Sequence, residues 1–188
     1  MPEAYIYDAL RTPRGRGKAR GALYEVKPID LLAAALGALR ERTAIAPEEL
    51  DDVVIGCVTP VDDQGYNVAK AALLHAGWGA AVGGMQVNRY CASGLEAVNL
   101  AAMKVRSGWE NLVLAGGVES MSMIPMEGYK LAPSYQVATH TPNYVVGMGL
   151  TAEAVAKKYG VSREDQDVFA LRSHTLAAAA IEEGKFKN

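Results

Sequence analysis

The run Val53–Val58 (VVIGCV) is apolar at every position and does not alternate. A strand with one wet face alternates apolar and polar residues. A strand without alternation is covered on both faces, as in a parallel sheet flanked by helices. Leu112–Ala115 is another apolar run, ending in Gly116-Gly117, and Met85–Asn88 is a short strand-like run. Ala4–Leu10 (AYIYDAL) reads as another short strand. Helical stretches lie between these runs. Strand–helix alternation predicts a parallel sheet with right-handed crossovers and helices on both faces, so the fold class is α/β. In such sheets ligands bind beyond the carboxyl ends of the strands.

The helices announce themselves by spacing and caps. Pro28 is suited to a first helical position, and Ile29, Leu32, Leu36 and Leu39 repeat on one face behind it. Pro47-Glu48-Glu49 reads as a single helical turn. Asn67 caps a helix over Val68–Ala76 that Gly77 ends, and places His75 in the last turn, where the helix dipole favours it. Leu95, Val98, Ala102 and Val105 define one face of a helix closed by Gly108. Thr151 is expected to cap a helix reaching Tyr159, with Gly160 as its stop. Ser162-Arg163-Glu164-Asp165 has capping-box spacing, with Asp in the usual Glu position, and starts a long helix over Arg163–Glu183.

Chemistry concentrates at Arg89-Tyr90-Cys91-Ala92-Ser93-Gly94, where the Met85–Asn88 strand hands over to a helix. The first amides of a helix lack partners inside it, and the dipole adds partial positive charge there. A thiol held at that point is drawn toward thiolate. Small residues after it admit a substrate carbonyl, and free amides can stabilise an oxyanion. A lone cysteine is more commonly a small buried hydrophobe. Cys57, inside the apolar run, is read that way. Cys91 and Gly116-Gly117 both fall at carboxyl ends of strands and are expected to share a site.

Val118–Leu150 changes character, with Pro125, Pro133, Pro142 and four methionines, Met121, Met123, Met126 and Met148. It reads as a long irregular segment of the kind that carries function. Methionines there can line an adaptable apolar pocket, although filling core gaps is their commoner role. Met121 and Met148 are the expected substrate-binding residues. His140 and His174 stand without partners at ligand spacing, and no metal site is expected.

Composition narrows the partners. The formal charge of −2 argues against nucleic acid, which needs a basic surface. The five cations of Arg11–Gly21 fit a solvated loop, and its glycines match no nucleotide-binding pattern. Two cysteines are too few for a disulfide framework. Neither a signal peptide nor a membrane span is evident. A soluble, cytoplasmic protein is expected.

Five stretches taken together resemble the thiolases, most closely the bacterial 3-ketoacyl-CoA thiolases of β-oxidation: RTPRGRGKARGAL, GCVTPVDDQGYNVAK, VNRYCASGLEAVNLAA, AGGVESMSMIPM and MGLTAEAVAKKYGVSREDQDVFALRSH. They occur in family order over nearly the whole chain. The resemblance implies a layered fold with a mostly parallel sheet over residues 1–117, lacking its last strand, and the first part of an inserted loop domain over residues 118–188. It implies that Cys91 is the acylated nucleophile, its backbone amide a donor to the thioester oxyanion, and Met148 part of the Met-Gly motif bordering the acyl pocket. Some biosynthetic members have His before that Met. Gly147 stands there in this chain and points to the degradative branch. Coenzyme A and acyl-CoA enter as substrates, with no cofactor. A homodimer or higher homo-oligomer is implied, and a β-oxidation multienzyme is a conceivable partner.

Family members continue beyond residue 188 into a second half carrying the activating His, an Asn-Glu motif and a second catalytic Cys. His75, His140, His174 and Cys57 stand in none of those motifs. This chain alone is therefore expected to be inactive, whether it is a truncation, a fragment or half of a split enzyme. The alternatives are a biosynthetic acetyl-CoA acetyltransferase working by condensation, and a non-catalytic thiolase-like protein that binds acyl chains or lipids.

Overall fold

The computed structural model describes residues 2–124, 135–140 and 147–187. The chain forms two compact units, Met1–Lys130 and Leu131–Asn188.

The first unit is built on three parallel strands, β1 (Asp52–Gly56), β2 (Met85–Val87) and β3 (Val113–Gly117), in the order β2-β1-β3. Val54 pairs with Met85 on one side and Ala115 on the other. The central strand is the non-alternating run, and Val53, Val54 and Ile55 have no exposed surface. Burial of each such side chain stabilises the fold by about 1.5–3 kcal/mol.

Val53, Ile55 and Cys57 join a core with Leu32 and Leu36 of helix α1 (Pro28–Thr43) and Val68, Ala69, Ala72 and Leu73 of helix α2 (Val68–His75). Pro28 occupies the first turn of α1. The Asn67 side chain accepts from the Lys70 amide at 3.1 Å, satisfying one of the amides a helix start leaves open. His75 is in the last turn of α2 as expected, and its Nε2 also lies 2.8 Å from Asp30 Oδ1 of α1.

Helix α3 (Ser93–Ser107) packs against the sheet with a different face from the one its apolar spacing predicted. Its buried residues are Ser93, Ala97 and Ala101, while Leu95 is 65% exposed. The reason is close approach. A Cβ at Gly56 would meet the Ser93 carbonyl carbon at 2.4 Å, so only small residues fit at that contact. Lys104 fastens the far end of α3, with Nζ 2.6 Å from Asp52 Oδ2 and 2.8 Å from Glu110 Oε1.

Three further expectations are corrected. Ala4–Leu10 forms no strand, and Tyr5, Ile6 and Tyr7 are exposed; among the described residues no strand pairs with it, so its apolar residues have no ladder to join. In the second unit, Thr151 is not a cap. The helix α5 (Met148–Tyr159) starts four residues earlier, with Gly147 at its N-cap, and Thr151 Oγ1 donates back to the Gly147 carbonyl. Part of the segment read as irregular is helical, α4 (Tyr135–His140). Pro125, Met126, Pro133 and Pro142 lie outside the described residues. The Ser162–Asp165 capping box forms as expected and opens α6 (Arg163–Glu182). Among the described residues, no helix is long and apolar enough to cross a membrane.

Candidate active site

Cys91 sits in the turn between β2 and α3, two residues before the first helical residue, and is exposed. The turn is held by its own side chains. Ser93 Oγ accepts from the Arg89 amide at 2.9 Å and donates to the Tyr90 carbonyl. Asn88 Oδ1 accepts from the Tyr90 amide at 2.8 Å, while Asn88 Nδ2 donates to the Val58 carbonyl at 2.9 Å. Tyr90 adopts a left-handed φ of +49°, a conformation that a non-glycine residue holds only when its surroundings over-determine it. Ser93 is 4% exposed, so the hydroxyl is a structural clamp here rather than a second nucleophile.

The glycines set the height of this turn over the sheet. Gly56 lies against the Ser93–Gly94 peptide, and a Cβ at Gly117 would fall 3.5 Å from the Gly94 Cα. The start of α3 therefore rests directly on the carboxyl ends of β1 and β3. Cys91 and Gly117 line one cavity of about 360 Å³, together with Val58, Thr59, Glu119 and Met121. The expectation that Cys91 and the Gly116-Gly117 end share a site holds for Gly117. Met121 is half-exposed in the cavity wall, and its Cβ meets the backbone at Gly17, where an added Cβ would lie at 2.9 Å. Met148 opens α5 in the second unit and is 76% exposed.

Cys57 is buried where Cys91 is exposed. It is 1% exposed, and burial, reinforced by the nearby Glu119 charge, pushes its thiol up from 9.0 to about 11. A thiol that holds its proton so firmly is a poor nucleophile.

Two residues at the site were not singled out from the sequence. Gln64 has no exposed surface, and its carboxamide is fully used: Nε2 donates to the Thr59 carbonyl and to Glu119 Oε1, both at 2.9 Å, and Oε1 accepts from the Ser120 amide at 2.7 Å. Glu119 Oε2 accepts from the Val58 amide at 2.7 Å. A carboxylate two residues beyond an apolar strand, at the edge where parallel sheets place their sites, was the available signal for Glu119. Among the described residues, no group of three His, Cys, Asp or Glu side chains is arranged to hold a metal ion.

The parallel sheet thus presents an exposed cysteine on a strand-to-helix turn, above a mostly apolar cavity. A family model described as "Thiolase, N-terminal domain" matches residues 4–188, and the chain belongs to that family. It is 47% identical over its full length to a 3-ketoacyl-CoA thiolase of Bacillus subtilis (strain 168), covering 48% of that protein. It is 41% identical to a 3-ketoacyl-CoA thiolase of Vibrio vulnificus (strain CMCP6), again covering 48% of that protein. Among solved structures it resembles the Bacillus anthracis acetyl-CoA acetyltransferase, with a TM-score of 0.72 and 38% identity over 89% of this chain and 45% of that one. The chain thus spans about half the length of the curated relatives it matches.

Proposed function

We propose that this chain supplies the nucleophile-bearing half of a thiolase that cleaves 3-ketoacyl-CoA into acetyl-CoA and a shortened acyl-CoA. The observation that carries the reading is the placement of Cys91: exposed, on a turn locked from both sides, over a cavity at the carboxyl edge of the sheet. The names of the relatives, 3-ketoacyl-CoA thiolase, supply the substrate class.

In this reading the Cys91 thiolate attacks the C3 carbonyl of the substrate, and an Sγ–C3 bond forms. The C2–C3 bond then breaks, and its electron pair goes to C2, which takes a proton and departs as acetyl-CoA. The acyl group stays on Cys91 as a thioester until the thiol of a second CoA attacks it. That thiol loses its proton, the Sγ–acyl bond breaks, and Sγ leaves as thiolate. The start of α3 favours both steps, because its dipole stabilises negative charge on sulfur and on the thioester oxygen. The backbone amide of Cys91 is the proposed oxyanion donor. Val58, Val118 and Met121 give the acyl chain an apolar wall, and Met148 is proposed as a further substrate-binding residue. No cofactor takes part.

The base that activates Cys91 belongs, in this reading, to the second half of the enzyme. His75 is engaged with Asp30 rather than with a thiol. The working enzyme is a homodimer or higher homo-oligomer of complete chains in the cytoplasm, serving fatty-acid degradation. The B. anthracis neighbour is titled an acetyl-CoA acetyltransferase, and a Cys91 thioester serves condensation equally well. Gly147 before Met148 favours the degradative direction.

Release of acetyl-CoA from a 3-ketoacyl-CoA in the presence of CoA tests the proposal. The 188-residue chain alone should release none. A fusion to the remaining half of the B. subtilis relative should release it, and Cys91→Ser in that fusion should abolish release. Turnover by the lone chain, or by the Cys91→Ser fusion, would refute the reading.

A further inference from the structure

The Gln64–Glu119 pair is connected to the Cys91 turn by an unbroken series of hydrogen bonds. Gln64 Nε2 donates to Glu119 Oε1 at 2.9 Å, and Glu119 Oε2 accepts from the Val58 amide at 2.7 Å. The Val58 carbonyl accepts from Asn88 Nδ2 at 2.9 Å, and Asn88 Oδ1 accepts from the Tyr90 amide at 2.8 Å. Tyr90 is the left-handed residue immediately before Cys91. Four links thus run from a buried side chain on a short 3-10 turn (Asp62–Gln64) to the backbone that carries the nucleophile.

The chemistry of the pair leaves little freedom. An amide nitrogen carries two protons, and in Gln64 these go to the Thr59 carbonyl and to Glu119, so the Cys57 Sγ at 3.5 Å is left with a contact only. Gln64 Oε1 is occupied by the Ser120 amide. The side chain therefore ties the segment leaving β1 (57–59) to the segment leaving β3 (118–120), the two walls that face Cys91 across the cavity. A fully satisfied buried polar group specifies one arrangement, because any other leaves a desolvated donor or acceptor unpaired.

We infer that Gln64 and Glu119 are positioning residues for Cys91, holding the cavity wall and, through Val58 and Asn88, the turn on which the thiol stands. The inference rests on the reading of Cys91 as the nucleophile. Neither residue touches the reacting atoms in this account.

The test is the second-order rate of Cys91 alkylation by iodoacetamide in the 188-residue chain, followed by peptide mass mapping from pH 6 to 10, with far-UV circular dichroism and a thermal melt as fold controls. Gln64→Glu removes both donors and sets a second carboxylate against Glu119. It should change the Cys91 rate at least fivefold and displace its pH profile. The swap Gln64→Glu with Glu119→Gln restores the donor–acceptor pair between 64 and 119 but not the donor to the Thr59 carbonyl, and should recover part of both. Asn88→Asp, which keeps the acceptor for Tyr90 and loses the donor to Val58, should reproduce the Gln64→Glu effect. If Gln64→Glu does not fold, Glu119→Gln and Asn88→Asp decide by the same readout. Folded variants whose Cys91 rate and pH profile stay within twofold of the parent, or a swap that recovers nothing, would overturn the inference. Cleavage of a 3-ketoacyl-CoA that survives Cys91→Ser in the fusion to the second half of a relative would instead count against the nucleophile reading itself.

Discussion

Gly56 and Ser93 are in backbone contact: a single methyl group added at Gly56 would come within 2.4 Å of the Ser93 carbonyl carbon and 2.6 Å of its oxygen. The atoms in the way are main chain, so no side-chain rotation relieves the clash. This contact seats the start of α3 on β1 and thereby fixes where Cys91 stands.

Gly56→Ala should therefore lift the start of α3. Overpacking against backbone costs about 2–3 kcal/mol. The expected result is a clearly lower denaturant midpoint together with an altered Cys91 alkylation rate. A variant as stable as the parent with unchanged Cys91 reactivity would show that the contact is not a seat.

Lys104 serves two carboxylates at once, Asp52 and Glu110, and its side chain is only 19% exposed. Burial alone would lower its pKa, but the hydrogen bonds and charges of the two acids outweigh that and raise it. Lys104→Met would leave Asp52 and Glu110 partly buried with no cation between them. Losing one partner of a fully buried ion pair costs about 3–5 kcal/mol, and this incompletely buried case should cost about 2 kcal/mol. Urea unfolding near neutral pH measures it, and Asp52→Asn should cost less because Glu110 still pairs with Lys104.

Cys57 imposes a pH dependence of known sign. Its thiol is raised from 9.0 to about 11 in the folded chain. Between those values the unfolded chain binds fewer protons than the folded one, so stability falls as pH rises through this range and is fully present below it. The stability of the parent should drop more steeply between pH 9 and pH 11 than that of Cys57→Ala, in which the raised titration of Lys104 is retained. Parallel slopes would contradict the burial of this thiol.

The two cysteines should also separate kinetically. Cys91 is exposed and Cys57 buried, so limited iodoacetamide under native conditions should label Cys91 first, with Cys57 following at the rate of unfolding. Peptide mapping over time distinguishes the two.

What the sequence made legible was local chemistry. A proline at a helix start, an Asn cap, an unbroken apolar strand and a small-residue turn after Cys91 are each written in adjacent residues, and α1, α2, β1 and the Cys91 turn follow from them. What it hid depends on distant neighbours. Ala4–Leu10 has strand composition, but a strand needs a partner, and none pairs with it among the described residues. Leu95 has helical spacing with Val98 and Ala102, but the close approach at Gly56 turns the small residues of α3 to the sheet and leaves Leu95 outside. Gln64 and Glu119 are 55 residues apart, and nothing in either neighbourhood shows that one amide and one carboxylate will meet.

The central claim is that Cys91 carries the acyl group. Incubation of the purified chain, fused to the second half of a relative, with a 3-ketoacyl-CoA in the absence of free CoA, followed by rapid acid quench and intact mass, tests it most directly. A mass increase equal to the shortened acyl group is expected, mapped to the peptide containing Cys91, discharged by added CoA and absent from Cys91→Ser. An acyl group on any other residue, or an adduct that persists in Cys91→Ser, would contradict it.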